Sequence, residues 1–289
     1  MITAQAFSTI RAIPRCAWND CFPAALEDWD FYVAVENAAI DDFKWRYLAV
    51  YDDETLVAVA AAFITYYRLD TTVSGAGKRF TERLERLWPG VLRLQLYGSP
   101  VAERCDAGIA SHVPQGQRRL LIKHLLEAAR EDATTFGIGL VAVKDVPTSD
   151  LDWAENCRQA GFQSMPSLPR GWLTVPYGSV EAYLGSLCKA TRKDLRRKLR
   201  APGPRVEWRH TIDDVLPDVM RLYEDTLSRA DLQFERLPAR YFTGILEQLQ
   251  GRAVCALYWV DERLVAFNLV LLDQHRLIDK FFGHDREFS

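Results

Sequence analysis

One short segment of this chain occurs twice, and it restricts the possible folds more than any other feature. Residues 53–58 (DETLVA) reappear as residues 261–266 (DERLVA), an offset of 208 with five of six residues identical. Apolar runs rich in aromatic and β-branched residues flank each acidic turn, at 47–51 and 56–67 in the first copy and at 254–259 and 264–272 in the second. This pattern predicts two β-hairpins. It favours an internal duplication over a chance recurrence of a common turn.

The first copy continues into a recognisable α/β order. Residues 91–97 alternate apolar and polar side chains up to Gly98, which predicts a strand. After Pro114, helical spacing of leucines predicts a helix over 118–136, followed by a buried strand over 138–143. A second helix is predicted over 152–160, where Gly161 supplies the positive φ that ends it.

This order, together with the helix ending Gln159-Ala160-Gly161-Phe162, resembles the GNAT acyltransferase superfamily. With a second copy, the chain is similar to the tandem-GNAT, Fem-like branch. The resemblance implies an α/β fold of two GNAT-like lobes, each a mixed sheet flanked by helices, the second incomplete at the C-terminus. The expected boundaries are 1–170 and 171–289, with residues 171–177 as the strand that enters the second lobe.

Length and composition agree with a two-domain globular protein. The chain has 289 residues, 48% hydrophobic and 26% charged. Its longest apolar run, residues 56–64, is too short to span a bilayer, and its N-terminus lacks the pattern of a signal peptide. The six cysteines form no CxxC pair, so we expect reduced thiols, no metal and a cytoplasmic location.

The resemblance also implies where an acyl-CoA donor binds. Family members hold the donor pyrophosphate on a loop of the form Gln/Arg-x-x-Gly-x-Gly/Ala at a helix N-terminus. In the first lobe the matching loop, residues 115–120, has Arg118 and Leu120 at the two small positions. We therefore expect no acyl-CoA site there. The second lobe should hold the donor, but only six residues follow Gly283, so the pattern predicts either a truncated chain or completion by a partner.

A strongly basic segment opens the second lobe. Ser179 predicts an N-cap, and one helix is expected to run to Arg200. Its expected buried stripe is Leu184, Leu187, Thr191, Leu195 and Leu199. Residues 189–200 carry seven basic side chains and Asp194, which is +6, so the rest of the chain sums to −9.

Charge concentrated on one segment indicates a phosphate-binding surface for CoA, a tRNA acceptor stem or another polyanion. The alternative is a solvated helix with a basic C-terminal half. The cofactor-binding candidates are Arg192, Lys193, Arg196, Arg197 and Arg200.

The sequence has no Ser-His-Asp order, HExxH, P-loop or GxGxxG, and its candidates for proton transfer are His284 and Asp285, after the last predicted strand. The alternative for this pair is a loop turn. Arg229, Asp231 and Glu235 are weaker candidates for an acceptor pocket. The expected function is N-acyl or aminoacyl transfer from a thioester or aminoacyl-tRNA to a small-molecule or peptide amine, without metal or DNA. The alternatives are plain acetyl-CoA-dependent N-acetylation and a catalytically inactive GNAT-like binding module.

Overall fold

The computed structural model describes residues 1–67, 92–102, 104–166, 169–200, 202–230 and 233–288. The fold is mixed α/β, with two sheets flanked by helices. The strands are β1 (Ile2–Phe7), β2 (Phe43–Asp52), β3 (Thr55–Tyr67), β4 (Leu92–Tyr97), β5 (Gly108–Ile109), β6 (Leu140–Val143), β7 (Arg205–Arg209), β8 (Ala253–Val260), β9 (Arg263–Leu272) and β10 (Leu277–His284). The helices are α1 (Arg15–Cys21), α2 (Trp29–Asn37), α3 (Arg118–Thr135), α4 (Leu151–Gln159), α5 (Val180–Ser186), α6 (Lys189–Arg200), α7 (Leu216–Ser228) and α8 (Ala239–Gln248).

The first sheet has the order β1-β2-β3-β4-β6, with β5 paired to β3, and the second has the order β7-β8-β9-β10. Only the β4–β6 pair is parallel among the described strands. Both of these strands therefore end at the same edge of the first sheet, where the chain leaves into residues 98–102 and 144–145.

Both predicted hairpins are confirmed, and they share their local geometry. The turns place Asp53 and Asp261 in the left-handed region, at φ 53° and 50°. Each hairpin then shifts register at the same position before its turn, between Val50 and Tyr51 in the first and between Tyr258 and Trp259 in the second. A residue with positive φ combined with a bulge is a common way to close a short hairpin with the right twist. The two segments thus adopt one turn geometry at the 208-residue spacing.

Alternation along β2 and β3 buries both faces of the first sheet. One set of side chains, which includes Leu48 and Ala60, packs under α3. The opposite set, which includes Tyr47 and Val59, packs under α1 and α2. Period-two burial on both sides is what a sheet covered by helices on each face requires.

The core under α1 and α2 continues into the second half of the chain. It includes Phe31 of α2, Ile245 of α8 and Phe267 of β9, each fully buried. Helix α2 packs against α8. At the end of this contact Arg252 binds Asp28 at 2.8 Å and Asp30 at 3.1 Å. The two sheets therefore share one hydrophobic core rather than meeting at a polar interface.

Two expectations about residues 171–200 are wrong. The predicted single helix is two helices, because Leu187 is extended (ψ 154°) and separates α5 from α6. Gly185 and Ser186, both poor helix formers, precede the break. Of the expected buried stripe only Leu184 is buried, and Leu199 is 64% exposed, because α6 packs on α5 and little else.

The segment 171–177 is not a strand. Residues 171–176 are exposed, and the segment makes no strand pairing. The second sheet instead begins with β7, after the basic helix. The resemblance implied a strand here, but a strand also needs a neighbour to satisfy its backbone groups. The edge of β8 on this side is occupied by β7.

Candidate functional site

Helix α6 carries cations of two kinds, paired and unpaired. Three arginines and one lysine have partners: Arg192 donates to the Gly185 carbonyl, Arg196 binds Glu181 at 2.7 Å, and Arg197 and Lys198 share Asp194. Within the described part of the chain, Lys189, Lys193 and Arg200 have neither a hydrogen bond nor an ion pair, and all three are exposed. These three are the cations available to an external anion.

The unpaired cations lie on one face of α6. At about 100° per residue, Lys193 and Arg200 lie within about 40° of Lys189 around the helix axis. Of the sequence-predicted cofactor residues, Lys193 and Arg200 belong to this face, whereas Arg192, Arg196 and Arg197 are held by neighbours. The sequence groups Lys189 and Lys193 with Arg197 on one helix face, but charge alone could not show that Arg197 pairs with Asp194 and that Arg196 pairs with Glu181. We call Lys189, Lys193 and Arg200 the α6 stripe.

His284 faces a recess on the outer face of the second sheet. Its ring stacks on Phe282, with ring centroids 5.3 Å apart, and its Nδ1 is buried without a hydrogen-bond partner among the described residues. The recess has a volume of about 430 Å³. It is lined by Pro204, Tyr258, Val265, Ala266, Phe282, His284 and Phe288. An imidazole nitrogen with no internal partner, beside a largely apolar recess, is available to a bound polar group.

Asp285 is held differently from His284. Its carboxylate accepts the Glu287 N–H and pairs with Arg263, and Arg221 lies 3.6 Å away. The hydrogen bond from the Glu287 backbone and the two guanidinium groups lower the pKa of Asp285 below its usual value. A carboxylate stabilised in its charged form is a weak base. The arrangement suits Asp285 for fixing the end of β10 and suits His284 for accepting a proton.

The loop at 115–120 leads directly into α3. Arg118, the first residue of α3, binds Asp150 at 2.6 Å, and Arg119 lies 3.7 Å from Asp152. Leu120 is 50% exposed. These carboxylates stand beside the helix N-terminus and oppose the approach of a pyrophosphate. That acyl-CoA does not bind at this loop stays a prediction.

The weaker acceptor-pocket candidates separate in space. Arg229 donates to the carbonyl of His284 at 2.9 Å and lies 3.3 Å from Asp225, so it braces the end of β10. Asp231 lies outside the described residues. Glu235 is half-buried near Lys144 and Lys280, where the two sheets meet. Sequence reasoning missed the two lysines, although a lysine within the apolar strand 277–282 was a visible signal.

One segment of the chain matches a known protein family. Residues 189–289 match the family described as Acetyltransferase (GNAT) domain. This match begins at Lys189, which is also the first residue of α6. The α6 stripe and His284 therefore both lie inside the matched segment.

Several solved structures are similar to the chain over part or most of its length. A ribosomal-protein-alanine N-acetyltransferase from Brucella melitensis shares 13% identity at a TM-score of 0.36, covering 60% of this chain and 99% of that one. The aminoglycoside N-acetyltransferase AAC(6')-Iy, in complex with CoA, shares 12% identity at a TM-score of 0.38, covering 61% of this chain and 96% of that one. A probable N-acyltransferase from Enterococcus faecalis shares 11% identity at a TM-score of 0.41, covering 98% of this chain and 59% of that one. No curated protein matches the chain.

The described residues lack two further classes of site. No helix there is both long and apolar enough to cross a membrane. In the same residues, no group of three or more His, Cys, Asp or Glu side chains is arranged to hold a metal ion.

Proposed function

We propose that this protein is an N-acyltransferase that moves an acyl group from an acyl thioester, acyl-CoA, to an amine. The match of residues 189–289 to the acetyltransferase (GNAT) domain family carries this proposal. The fold of two mixed sheets flanked by helices agrees with the tandem GNAT-like arrangement that the 208-residue repeat suggested. The repeated turn and bulge support that tandem arrangement as part of the proposal.

The α6 stripe supplies the donor contact in this proposal. CoA carries phosphate groups, and Lys and Arg side chains bind phosphate through charge-assisted hydrogen bonds. Lys189, Lys193 and Arg200 need break no internal pair to do so, whereas Arg196 and Arg197 would first have to leave Glu181 and Asp194. The unpaired residues therefore contribute most of the binding free energy.

His284 is the proposed base. Its imidazole accepts a proton from the acceptor amine as the nitrogen attacks the thioester carbonyl. The C–N bond forms, the C–S bond breaks, and the thiolate leaves and is protonated to the thiol. Phe282, Phe288 and Tyr258 line the recess beside the imidazole with aromatic carbon.

An aminoacyl-tRNA donor is the second candidate, and the length of α6 favours it. Twelve helical residues extend over about 18 Å, farther than one pyrophosphate reaches. A polynucleotide backbone would engage the stripe along its whole length. The two donors differ in salt response, because binding of a nucleic acid loses roughly 0.7–0.9 log units of affinity per decade of salt for each phosphate neutralised.

The test measures binding of CoA and of bulk tRNA at two salt concentrations, and thiol release from acetyl-CoA with a panel of primary amines. We expect the triple variant Lys189→Ala/Lys193→Ala/Arg200→Ala to lose tenfold or more of its donor affinity, about 1.4 kcal/mol or more. The matched control Arg196→Ala/Arg197→Ala/Lys198→Ala removes the same charge from paired positions and should lose less. Equal losses of donor affinity in the two variants would mean that the α6 stripe contributes only a non-specific charge effect. Absence of both thiol release and donor binding in the wild type would leave the inactive binding module as the function.

A further inference from the structure

His284, the last residue of β10, is held from outside the sheet by helix α7. Among the described strands β10 lies at the edge of the second sheet, so its outward backbone groups have no ladder partner there. The Thr226 side chain of α7 takes that place at His284. Its hydroxyl oxygen accepts the His284 N–H at 3.0 Å, and the hydroxyl donates to the His284 carbonyl at 3.4 Å. His284 is therefore bound to α7 through both of its backbone polar groups.

Arg229, directly after α7, completes this contact. Its guanidinium donates to the His284 carbonyl at 2.9 Å and to the Thr226 hydroxyl at 3.2 Å. The guanidinium itself lies 3.3 Å from the Asp225 carboxylate. The Thr226 hydroxyl thus accepts two hydrogen bonds and donates one, which is its whole hydrogen-bonding capacity. A network of charged and neutral hydrogen bonds therefore fixes the end of β10 to the end of α7.

A glycine in β10 permits this close approach of α7. A methyl group at position 283 would overlap the Phe267 ring and would lie 3.0 Å from the Leu222 carbonyl oxygen of α7. Leu222 and Thr226 are four residues apart, so they lie on the same face of the helix. The missing side chain at Gly283 therefore lets α7 lie close enough for the Thr226 hydroxyl to reach the backbone of His284.

The imidazole of His284 depends on its backbone for its direction. Where a histidine acts as a base, a carboxylate commonly binds the second ring nitrogen and orients the ring. Here Nδ1 of His284 has no hydrogen-bond partner among the described residues, and the neighbouring carboxylate of Asp285 is bound by Arg263. The ring stacks on Phe282 with an angle of 20° between the planes. Its position at the recess is therefore set by the Phe282 ring and by the backbone that Thr226 holds.

We propose that Thr226 is a positioning residue for the base: its hydroxyl, supported by the Arg229 guanidinium, fixes the backbone of His284 and so directs the imidazole into the recess. The proposal rests on the proposed role of His284 in acyl transfer, and it adds a residue 58 positions away in the sequence. A misplacement of about 1 Å in a reacting group can lower a rate about 100-fold. Loosening the backbone of His284 should therefore slow proton transfer while the α6 stripe continues to bind the donor.

The first experiment compares thiol release from acetyl-CoA, at saturating primary amine, by the wild type, Thr226→Val and Thr226→Ser. Valine has nearly the shape of threonine but lacks the hydroxyl, whereas serine keeps it. We expect Thr226→Val to lower kcat by about tenfold or more and to leave the KM for acetyl-CoA within about twofold. Thr226→Ser should keep most of the wild-type kcat. The matched control Ser228→Ala removes an exposed hydroxyl that bonds only to the Asp225 carbonyl among the described residues, and it should behave as wild type.

A double-mutant cycle with His284→Ala separates positioning from a general weakening of the fold. His284→Ala should itself lower kcat by about 100-fold or more, because the base is lost. If Thr226 acts through His284, adding Thr226→Val to His284→Ala should lower the remaining kcat by less than about twofold. The proposal is overturned by an equal loss in both backgrounds, by a wild-type kcat in Thr226→Val, or by a Thr226→Ser variant as slow as Thr226→Val. If urea unfolding shows that Thr226→Val does not fold, Arg229→Met takes its place in the cycle, since it weakens the same network at an exposed position.

NMR signals of the His284 ring test the positioning without any substrate. They are assigned by their loss in His284→Ala, and the stacked Phe282 ring shifts them away from the values of a free histidine. We expect Thr226→Val to move these signals towards the free values or to broaden them, and Thr226→Ser and Ser228→Ala to leave them unchanged. Absence of thiol release in the wild type would contradict the proposed function. Unchanged His284 signals in Thr226→Val would instead overturn the positioning role, so the two failures are distinguishable.

Discussion

At the scale of the residue, Glu235 couples folding to pH. Burial raises its pKa to about 7, from a usual 4.5. The folded chain thus holds this proton more tightly than the unfolded chain between about pH 4.5 and 7. Stability contributed by the protonated carboxyl is present below pH 4.5, falls as pH rises through this window, and is gone above pH 7.

We expect Glu235→Gln, which mimics the neutral carboxyl, to be more stable than wild type at pH 8 by on the order of 1–3 kcal/mol and nearly equal to it at pH 4.5. Urea unfolding at the two pH values measures the difference, and Glu247→Gln, an exposed position, is the control. A difference between Glu235→Gln and wild type that does not change with pH would show that the carboxyl is not kept neutral by burial.

At the scale of the element, the two hairpin turns make a matched pair. Asp53 and Asp261 both have positive φ, which short polar residues tolerate and β-branched residues resist. We expect Asp53→Val and Asp261→Val each to lower the free energy of unfolding by about 1–2 kcal/mol, and the Asn variants to lose little. The Met1 ammonium lies 2.6 Å from Asp53, but this ion pair is exposed. It therefore adds little to the loss of unfolding free energy that we expect for Asp53→Val.

Urea denaturation of the four variants tests this equivalence. Similar losses for the two valine variants are expected if one turn geometry serves both hairpins. If Asp53→Val were costly and Asp261→Val harmless, the shared positive φ would not be the reason for the recurring aspartate.

At the scale of the whole molecule, one core serves both sheets. Ile245 of α8 is fully buried in the same cluster as Phe31 of α2. Ile245→Ala should therefore destabilise the protein by about 2–5 kcal/mol and do so for both sheets together. Hydrogen exchange measured by mass spectrometry should show β2 and β8 losing protection in parallel. Loss of protection in β8 alone would indicate that the two halves unfold as separate units.

Local chemistry was enough to predict the elements that depend on near neighbours in the chain. The hairpins around Asp53 and Asp261 and the helix end at Gly161 (φ 82°) rest on turn residues, alternation and glycine freedom. The same reasoning failed at 187–188, where helical spacing continued but the helix did not. Periodicity shows which residues would share one face of a helix. Packing partners decide whether the helix continues and which of its leucines are buried.

The candidate functional residues also divide into those that the sequence predicts and those that only the tertiary structure identifies. The sequence by itself determined that residues 189–200 form a concentrated cationic helix and that His284 lies at the end of the last strand. Only the tertiary structure decided that Lys189, Lys193 and Arg200 are the cations left unpaired, and that Asp285 is bound by Arg263. It alone brought Lys144, Glu235 and Lys280 together, because groups far apart in the chain share a field only after folding removes the water between them.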